Sequence, residues 1–284
     1  MKHQRKFLGT IGLDIDGTIT DHQRRISDEV ALFLKSCYES GWCIIFITGR
    51  DFVYAMDALT KLDFPFYLAL QNGADLIQMP EKKHLKSTYL DIKIAEELET
   101  LFEPLADDFL VYAGYERGDF CYYRPHKYSN KMIPYLERMQ QRSAVAWQAV
   151  THFNECSQKS FPLIKAVGLE STFLELETKL SHRAMLQYVV IKDPLSKEYD
   201  YLLITDKHAS KRHALEYFME KFDLPRPLIV GGDDHNDRAS LECADIKVVM
   251  ENAPPSLKSM ADIIAPLSIH HGIIHGLNEA FKRV

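Results

Sequence analysis

Residues 7–20 read F-L-G-T-I-G-L-D-I-D-G-T-I-T. The apolar run from Phe7 to Leu13 has the length of a buried strand, and Asp-Gly is a turn signal. Asp14 and Asp16 therefore sit where a strand leaves the core. Positions i and i+2 of an extended chain face the same side, so two negative charges are held together. That is unfavourable unless a cation or a proton lies between them. Taken alone, the stretch can also be a solvated turn after a strand. The rest of the chain decides.

The same pattern recurs. Ser27-Asp28-Glu29, then Val30, Phe33, Leu34, Cys37 and Tyr38, then Gly41, predict a helix with a serine cap and a C-terminal glycine. Cys43 to Ile47 is continuously apolar, as a strand covered on both faces should be, and it ends at Thr48-Gly49-Arg50. A second helix carries Phe52, Val53, Met56, Leu59 and Leu62 at helical spacing. The next run, Phe66 to Leu70, ends at Gln71-Asn72-Gly73. Strands alternating with helices predict a parallel α/β sheet.

The character changes near Pro80, where Glu81 to Lys86 is charged and linker-like. Helical patterns follow at Ile92–Phe102, Lys131–Arg142 and Thr172–Leu180. Strand patterns fall at Phe109–Tyr115, Phe120–Tyr123, Pro162–Val167, Met185–Ile191 and Tyr199–Ile204. This reads as an inserted α+β domain on an antiparallel sheet. The α/β rhythm returns with a helix at Ala209–Phe222 and an apolar run at Leu228–Val230, which ends at Gly231-Gly232-Asp233-Asp234-His235-Asn236-Asp237. Ile246–Met250 and Ile263-Ile264 are further strands, and a helix runs from Gly272 to Arg283. The expected fold class is α/β. A Rossmann-like parallel-sheet core is formed by residues 1–81 and 206–284, with an α+β domain, 82–205, inserted in it.

Four apolar runs in the α/β part thus end in polar motifs. In an open parallel sheet the ligand crevice lies outside the carboxyl ends of the strands, so these motifs should meet at one edge. Asp14, Asp16, Asp233 and Asp237 would crowd several carboxylates there. A hard, oxygen-seeking cation relieves their repulsion, and Mg²⁺ suits that donor set. Thr48 offers a hydroxyl, and the backbone amides of Gly49 and Arg50 are expected to open a helix and form an anion site. Lys211, in the first turn of its helix, adds a fixed positive charge. A cation, a lysine and helix-start amides around a carboxylate describe a phosphoryl-transfer site, where a carboxylate can act as nucleophile.

On L-D-I-D-G-T, I-T-G-R, Ser210-Lys211 before a helix, and G-D-D-H-N-D, the chain resembles the haloacid dehalogenase superfamily. Within it, the chain is similar to the Cof-type phosphatases, whose large C2-type (C2B) cap is inserted after the third strand. The resemblance covers Phe7–Pro80 and Thr205–Leu277. It implies that Asp14 is the nucleophile and that Asp16 protonates the leaving oxygen and then activates water. It implies that Thr48 and Lys211 hold the phosphoryl group, and that Asp14, the carbonyl of Asp16 and Asp233 bind Mg²⁺. Asn236 and Asp237 would partner the metal and Lys211. Asn72-Gly73 matches a substrate-facing loop. Glu251-Asn252-Ala253 resembles the family's G-N-A turn with Glu for Gly, and Asp234 stands where a small residue is common.

The implied activity is hydrolysis of small phosphorylated metabolites, sugar phosphates among them. A phosphomutase or phosphotransferase, and a binding protein without catalysis, are the alternatives; product analysis with a hexose phosphate and a bisphosphate activator separates the first of these. A net charge of −6 argues against a general nucleic-acid partner. No apolar run is long enough to span a bilayer. The basic stretch Met1–Lys6 precedes too short an apolar segment to be a signal peptide. The five scattered cysteines (Cys37, Cys43, Cys121, Cys156 and Cys243) suit a reducing, cytoplasmic setting.

Three features stay outside this scheme. His271 and His275 are spaced i, i+4, next to His270, but no further ligands for a zinc ion lie near them, so they read as solvated or core-edge residues. Tyr122, Tyr123, Arg124, His126, Lys127 and Tyr128 form an aromatic and basic cluster, either a specificity patch or a strand end with a solvated loop. Arg238 is either a solvated charge or the partner of an acidic neighbour.

Overall fold

The structure, a computed structural model, describes residues 6–143, 145–193 and 196–284; Met1 to Arg5 of the basic N-terminus lie outside the described residues. β1 (Gly9–Leu13), β2 (Trp42–Ile47) and β3 (Phe66–Leu70) alternate with α1 (Asp28–Glu39) and α2 (Phe52–Ala58), and β4 (Asp75–Met79) and β5 (Lys83–Ser87) follow. The middle of the chain holds β6 (Leu90–Asp91), α3 (Ile92–Phe102), β7 (Phe109–Tyr112), β8 (Cys121–Tyr123), α4 (Ile133–Arg142) and β9 (Trp147–Ala149). It continues through β10 (Ser160–Phe161), β11 (Leu163–Gly168), α5 (Glu170–Leu180), β12 (Leu186–Lys192) and β13 (Asp200–Asp206). The last part is α6 (Lys211–Lys221), β14 (Leu228–Gly232), α7 (Arg238–Glu242), β15 (Ile246–Met250), α8 (Pro255–Lys258), β16 (Ile263–Ala265) and α9 (Gly272–Phe281). The chain divides into two compact units. One is Met1–Arg50, Ala55–Lys86 and Lys211–Val284; the other is Asp51–Tyr54 and Ser87–Ser210.

The first unit is built on one sheet in the order β16-β15-β14-β1-β2-β3-β4-β5. β1 runs parallel to both β2 and β14, with Thr10 opposite Cys43 and Leu228. Strand order reverses at β1, and a reversal of this kind opens a crevice at the carboxyl edge. Every residue of β1 and β2 is buried, which explains their unbroken apolar sequence. Leu215 and Phe218 of α6 and Leu241 of α7 pack in one core with Ile45, Ile47 and Val230 of the sheet. Each such side chain contributes roughly 1.5–3 kcal/mol by leaving water. α1 starts as its sequence predicts, with the Val30 N–H donating to Ser27 Oγ at 3.2 Å.

Two expectations change here. Lys83–Ser87 is no linker but the edge strand β5. Its lysines are what a sheet edge exposed to water tolerates, so a strand with an edge composition reads as a loop. α2 ends at Ala58, not near Leu62. Leu59 is nevertheless fully buried, so the apolar spacing outlasts the helix.

The second unit carries a six-stranded sheet, β12-β13-β11-β7-β8-β9, antiparallel apart from the β8–β9 pair. Phe109 and Val111 of β7 face a core shared with Leu98, Phe102 and Phe173 of α3 and α5. The alternate residues, Leu110 and Tyr112, face Tyr135, Leu136 and Met139 of α4. β7 stops short of the expected Tyr115, and Gly114 follows with φ 91°.

The aromatic and basic cluster is neither solvated nor a surface patch at its centre. Arg124 is buried, donating from Nε and Nη2 to Asp108 at 2.8 and 2.9 Å and lying 2.7 Å from Glu99. Its guanidinium lies 4.6 Å from the Phe153 ring centre. Tyr122 and Tyr128 are buried as well, while His126 and Lys127 are exposed. Among the described residues, no helix is long and apolar enough to cross a membrane.

Candidate active site

Asp14 directly follows β1, and its N–H donates to the Gly231 carbonyl at 3.0 Å, which ties it to β14. Lys211, the first residue of α6, is buried at 2 % exposure. Its Nζ donates to Asp14 Oδ1 at 2.5 Å and to Asp237 Oδ1 at 2.6 Å. The other Asp237 oxygen accepts the N–H groups of Asp233 and Asp234 at 2.9 and 3.1 Å. Asp237 therefore fixes both the lysine and the loop that carries Asp233. Asp14, Asp233 and Asp237 each offer an oxygen, all within 4.8 Å of one another.

Two glycines make this crowding possible. Gly17 has φ 72°, and a Cβ there would lie 2.0 Å from Asp233 Oδ2. A Cβ on Gly232 would lie 2.5 Å from Asp237 Cγ. On the solvent side Asn252 Nδ2 donates to Asp233 Oδ2 at 2.8 Å. Asn252 follows β15 at the same sheet edge.

The electrostatics follow from burial. Desolvation lifts the Asp14 carboxyl to about 7, with Asp237 and Asp16 adding to the rise while Lys211 opposes it. Burial, then Asp14, Asp237 and Asp234, pushes Asp233 well above the usual carboxylate range. Burial works against the charge of Lys211, but the two carboxylates outweigh it and raise its pKa. The site therefore holds more carboxylates than its one lysine can balance, a donor set that suits a hard divalent cation.

Asp16 is placed differently. Its carboxylate lies outside the group of three and is held by Arg50, Nε to Oδ2 at 2.7 Å and Nη2 to Oδ1 at 2.6 Å. Burial opposes ionisation of Asp16, yet the hydrogen bonds and charge of Arg50 prevail and hold its pKa below the ordinary value.

Arg50 corrects the sequence reading in a second way. α2 begins at Phe52, so the amides of Gly49 and Arg50 precede the helix instead of opening it. The Arg50 N–H is already used, donating to Thr48 Oγ1 at 3.1 Å. That bond leaves the Thr48 hydroxyl hydrogen free in direction. Sequence reasoning missed the Arg50 side chain because an arginine in a turn gives no sign of its partner.

Asn72 has φ 59° and takes a hydrogen bond on Oδ1 from Asn236 Nδ2 at 3.2 Å, so Asn236 meets the turn after β3, not Lys211. Gly73, next in that turn, is buried with φ 100°. Asp234 accepts the His235 N–H at 2.7 Å. Arg238 pairs with Glu242 at 3.0 Å on the surface. His271 is not inside a helix: it precedes α9 with φ 55°, and its Nδ1 lies 2.9 Å from Glu29 Oε2. His270 lies in the short turn before it, and His275 lies within α9.

The model of the haloacid dehalogenase-like hydrolases matches residues 11–277, which spans both halves of the sheet and the segment inserted between them. The chain belongs to this family. As one of the haloacid dehalogenase-like hydrolases, it is 23 % identical over 285 residues to Phosphatase YwpJ of Bacillus subtilis, covering 93 % of this chain and 97 % of that protein. It is 24 % identical over 277 residues to the phosphoglycolate phosphatase of Methanothermobacter thermautotrophicus, covering 96 % and 97 %. The fold of a haloacid dehalogenase-like hydrolase from B. subtilis superposes with a TM-score of 0.78 at 21 % identity, over 95 % of this chain and 99 % of that one.

Proposed function

We propose that this hydrolase is a Mg²⁺-dependent phosphatase that cleaves phosphate monoesters of small metabolites, sugar phosphates in the first place, through an aspartyl-phosphate. The observation that carries this reading is the buried Asp14–Lys211–Asp237 array with Asp233 beside it. The full-length likeness to proteins named phosphatases supports it.

Lys211 favours the ionised form of Asp14 against burial and holds it in place, with one oxygen available to attack phosphorus. Attack forms an Asp14–phosphorus bond as the ester bond to the leaving oxygen breaks, and Asp16 gives that oxygen its proton. Asp16 then takes a proton from water, whose oxygen attacks the phosphorus; inorganic phosphate leaves and Asp14 is restored. Lys211 and the Thr48 hydroxyl meet the charge on the phosphoryl oxygens. Asn72 and Gly73 border the leaving group. Asp14, the carbonyl of Asp16 and Asp233 would hold Mg²⁺, which supplies the charge that offsets the crowded carboxylates and the phosphoryl group. Asp237 positions Lys211. We take residues 82–205 as the cap that selects the substrate and 1–81 with 206–284 as the catalytic core. The five free cysteines fit a cytoplasmic enzyme.

The test is phosphate release from sugar phosphates, nucleotides and an aryl phosphate, with Mg²⁺ and with EDTA. Release that depends on the metal is expected. Transfer to a second sugar in place of release would make the protein a mutase, and inertness towards every ester would make it a binding protein.

A further inference from the structure

The second unit takes in a short piece of the amino-terminal sequence, Asp51–Tyr54, which directly follows Arg50. These residues open α2, and a helix leaves its first N–H groups without partners of its own. Two carboxylates take them here. The Tyr54 N–H donates to Asp51 Oδ1 at 2.9 Å, a local cap. The Phe52 N–H donates to Asp119 Oδ2 at 3.0 Å, across 67 positions of sequence. Beside that bond the Phe52 and Tyr115 rings lie 4.6 Å apart, centre to centre.

The turn between β7 and β8 is built to present Asp119. It is closed by the Asp119 N–H donating to the Gly114 carbonyl at 3.1 Å and by the Ala113 N–H donating to the Phe120 carbonyl at 2.8 Å. Asp119 is 4 % exposed and has φ 49°, a left-handed conformation that aspartate tolerates better than most residues. A carboxylate buried in this way costs free energy that only its partners offset. The stretch that ends at Phe52 is also held upstream. The Thr48 N–H donates to the Ala69 carbonyl at 2.9 Å, and the Arg50 carbonyl accepts the Gln71 N–H at 3.0 Å. Arg50 lies between these anchors, two residues before the one that Asp119 holds, and its side chain grips Asp16.

We infer that Asp119 is a positioning residue for phosphoryl transfer: by holding the Phe52 N–H it fixes the backbone from which Arg50 reaches Asp16. This rests on the phosphatase reading, in which Asp16 gives its proton to the leaving oxygen. A guanidinium is a flat, rigid fork, so its two bonds to Asp16 set the direction of that carboxyl. When the Phe52 anchor is lost, the Arg50 backbone shifts and the carboxyl turns from the leaving oxygen; a misplacement of about 1 Å can cost a hundredfold in rate. The loss falls on the step that needs a proton donor. A sugar alkoxide cannot depart without a proton, whereas a nitrophenolate can, so the leaving group reports whether Asp119 acts through Asp16.

The experiment measures kcat/KM with Mg²⁺ for a hexose phosphate and for para-nitrophenyl phosphate in wild type, Asp119→Gly, Asp119→Asn, Arg50→Gln and the double variant Arg50→Gln with Asp119→Gly. Glycine keeps the left-handed turn and removes the acceptor, while asparagine keeps an acceptor oxygen. Asp119→Ser, whose oxygen stands one bond shorter, serves if Asp119→Gly does not fold. In Asp119→Gly the ratio of the hexose value to the aryl value should fall at least about tenfold, the scale of one hydrogen bond to a charged acceptor, and in Asp119→Asn it should stay within about threefold of wild type. In the Arg50→Gln background, adding Asp119→Gly should change neither value by more than about threefold, because residues that act in one chain of contacts are not additive. An equal loss on both esters in a folded variant, or a loss that adds fully to that of Arg50→Gln, gives Asp119 a structural role and overturns the inference. A ratio that does not move in Asp119→Gly overturns it as well. If the wild type cleaves neither ester, the phosphatase reading fails, and this inference with it.

Discussion

Arg50 grips both carboxylate oxygens of Asp16, at 2.7 and 2.6 Å, with its own side chain buried and that of Asp16 partly open to solvent. The residue read as acid and base is thus favoured as an anion, and a proton on it has to be gained against the Arg50 charge.

Removing the grip should change the pH dependence of the rate. In Arg50→Gln the carboxyl of Asp16 loses the cation that lowers its pKa. Whichever limb of the pH–rate profile Asp16 controls should move to higher pH, by on the order of one unit. Rate profiles of both proteins would show the shift, and an unmoved limb would mean that Asp16 does not control it.

Asp14→Asn should lower turnover by at least about ten-thousandfold, since an amide cannot take the phosphoryl group. The far-ultraviolet circular dichroism should not change. Undiminished phosphate release would falsify the assignment of Asp14 as nucleophile.

The same variant tests the burial of charge. The pKa of Asp14 is near 7 in the fold against 3.8 for an ordinary aspartate. Between those values the folded chain binds more protons than the unfolded one, so Asp14 makes stability fall as pH rises from about 4 to 7. In metal-free solution, the stability of Asp14→Asn relative to wild type should improve from pH 5 to pH 8, by up to on the order of 3 kcal/mol. Urea titrations at the two pH values measure this. Mg²⁺ should stabilise the wild type much more than the variant.

Gly17→Ala should damage the metal site specifically. The added methyl meets Asp233 Oδ2 at 2.0 Å, and φ 72° disfavours any side chain there. The Mg²⁺ concentration for half-maximal activity should rise at least about tenfold, the loss expected when a ligand is misoriented. A lower melting temperature with an unchanged Mg²⁺ response would separate Gly17 from the metal.

In the inserted unit, Arg124→Met should cost about 3–5 kcal/mol, because Asp108 and Glu99 lose their shared partner while Asp108 stays buried. Urea unfolding followed by tyrosine fluorescence would register it, and a neutral effect would mean that the acids relax into water.

What the sequence shows and hides follows from the range of each interaction. β1, β2, β3 and β14 are legible because burial on both faces writes an unbroken apolar run, and the polar motif at each end marks the sheet edge. Asp14, Asp233 and Asp237 follow from that edge, whereas Lys211 follows from its place in the first turn of a helix and from the family resemblance. β5 is hidden because a strand at the rim needs no apolar face. The Arg50–Asp16 pair is hidden because 34 positions separate two charges that each suit a turn. Arg124 is hidden for the opposite reason: its chemistry suggests solvent, and only the distant Asp108, Glu99 and Phe153 make burial tolerable. The burial of Gln71, whose side-chain amide has no hydrogen-bond partner among the described residues, leaves no trace in composition or periodicity.

The bond from Lys211 to Asp14 joins residues 197 positions apart. A ribosome builds the chain from the amino end, so Asp14 emerges long before the lysine that will neutralise it. Until α6 and β14 dock beside β1, the half-made sheet lacks Lys211, Asp233 and Asp237 altogether. A chain that stops before Lys211 carries Asp14 without the cation and the carboxylates that surround it in the finished sheet.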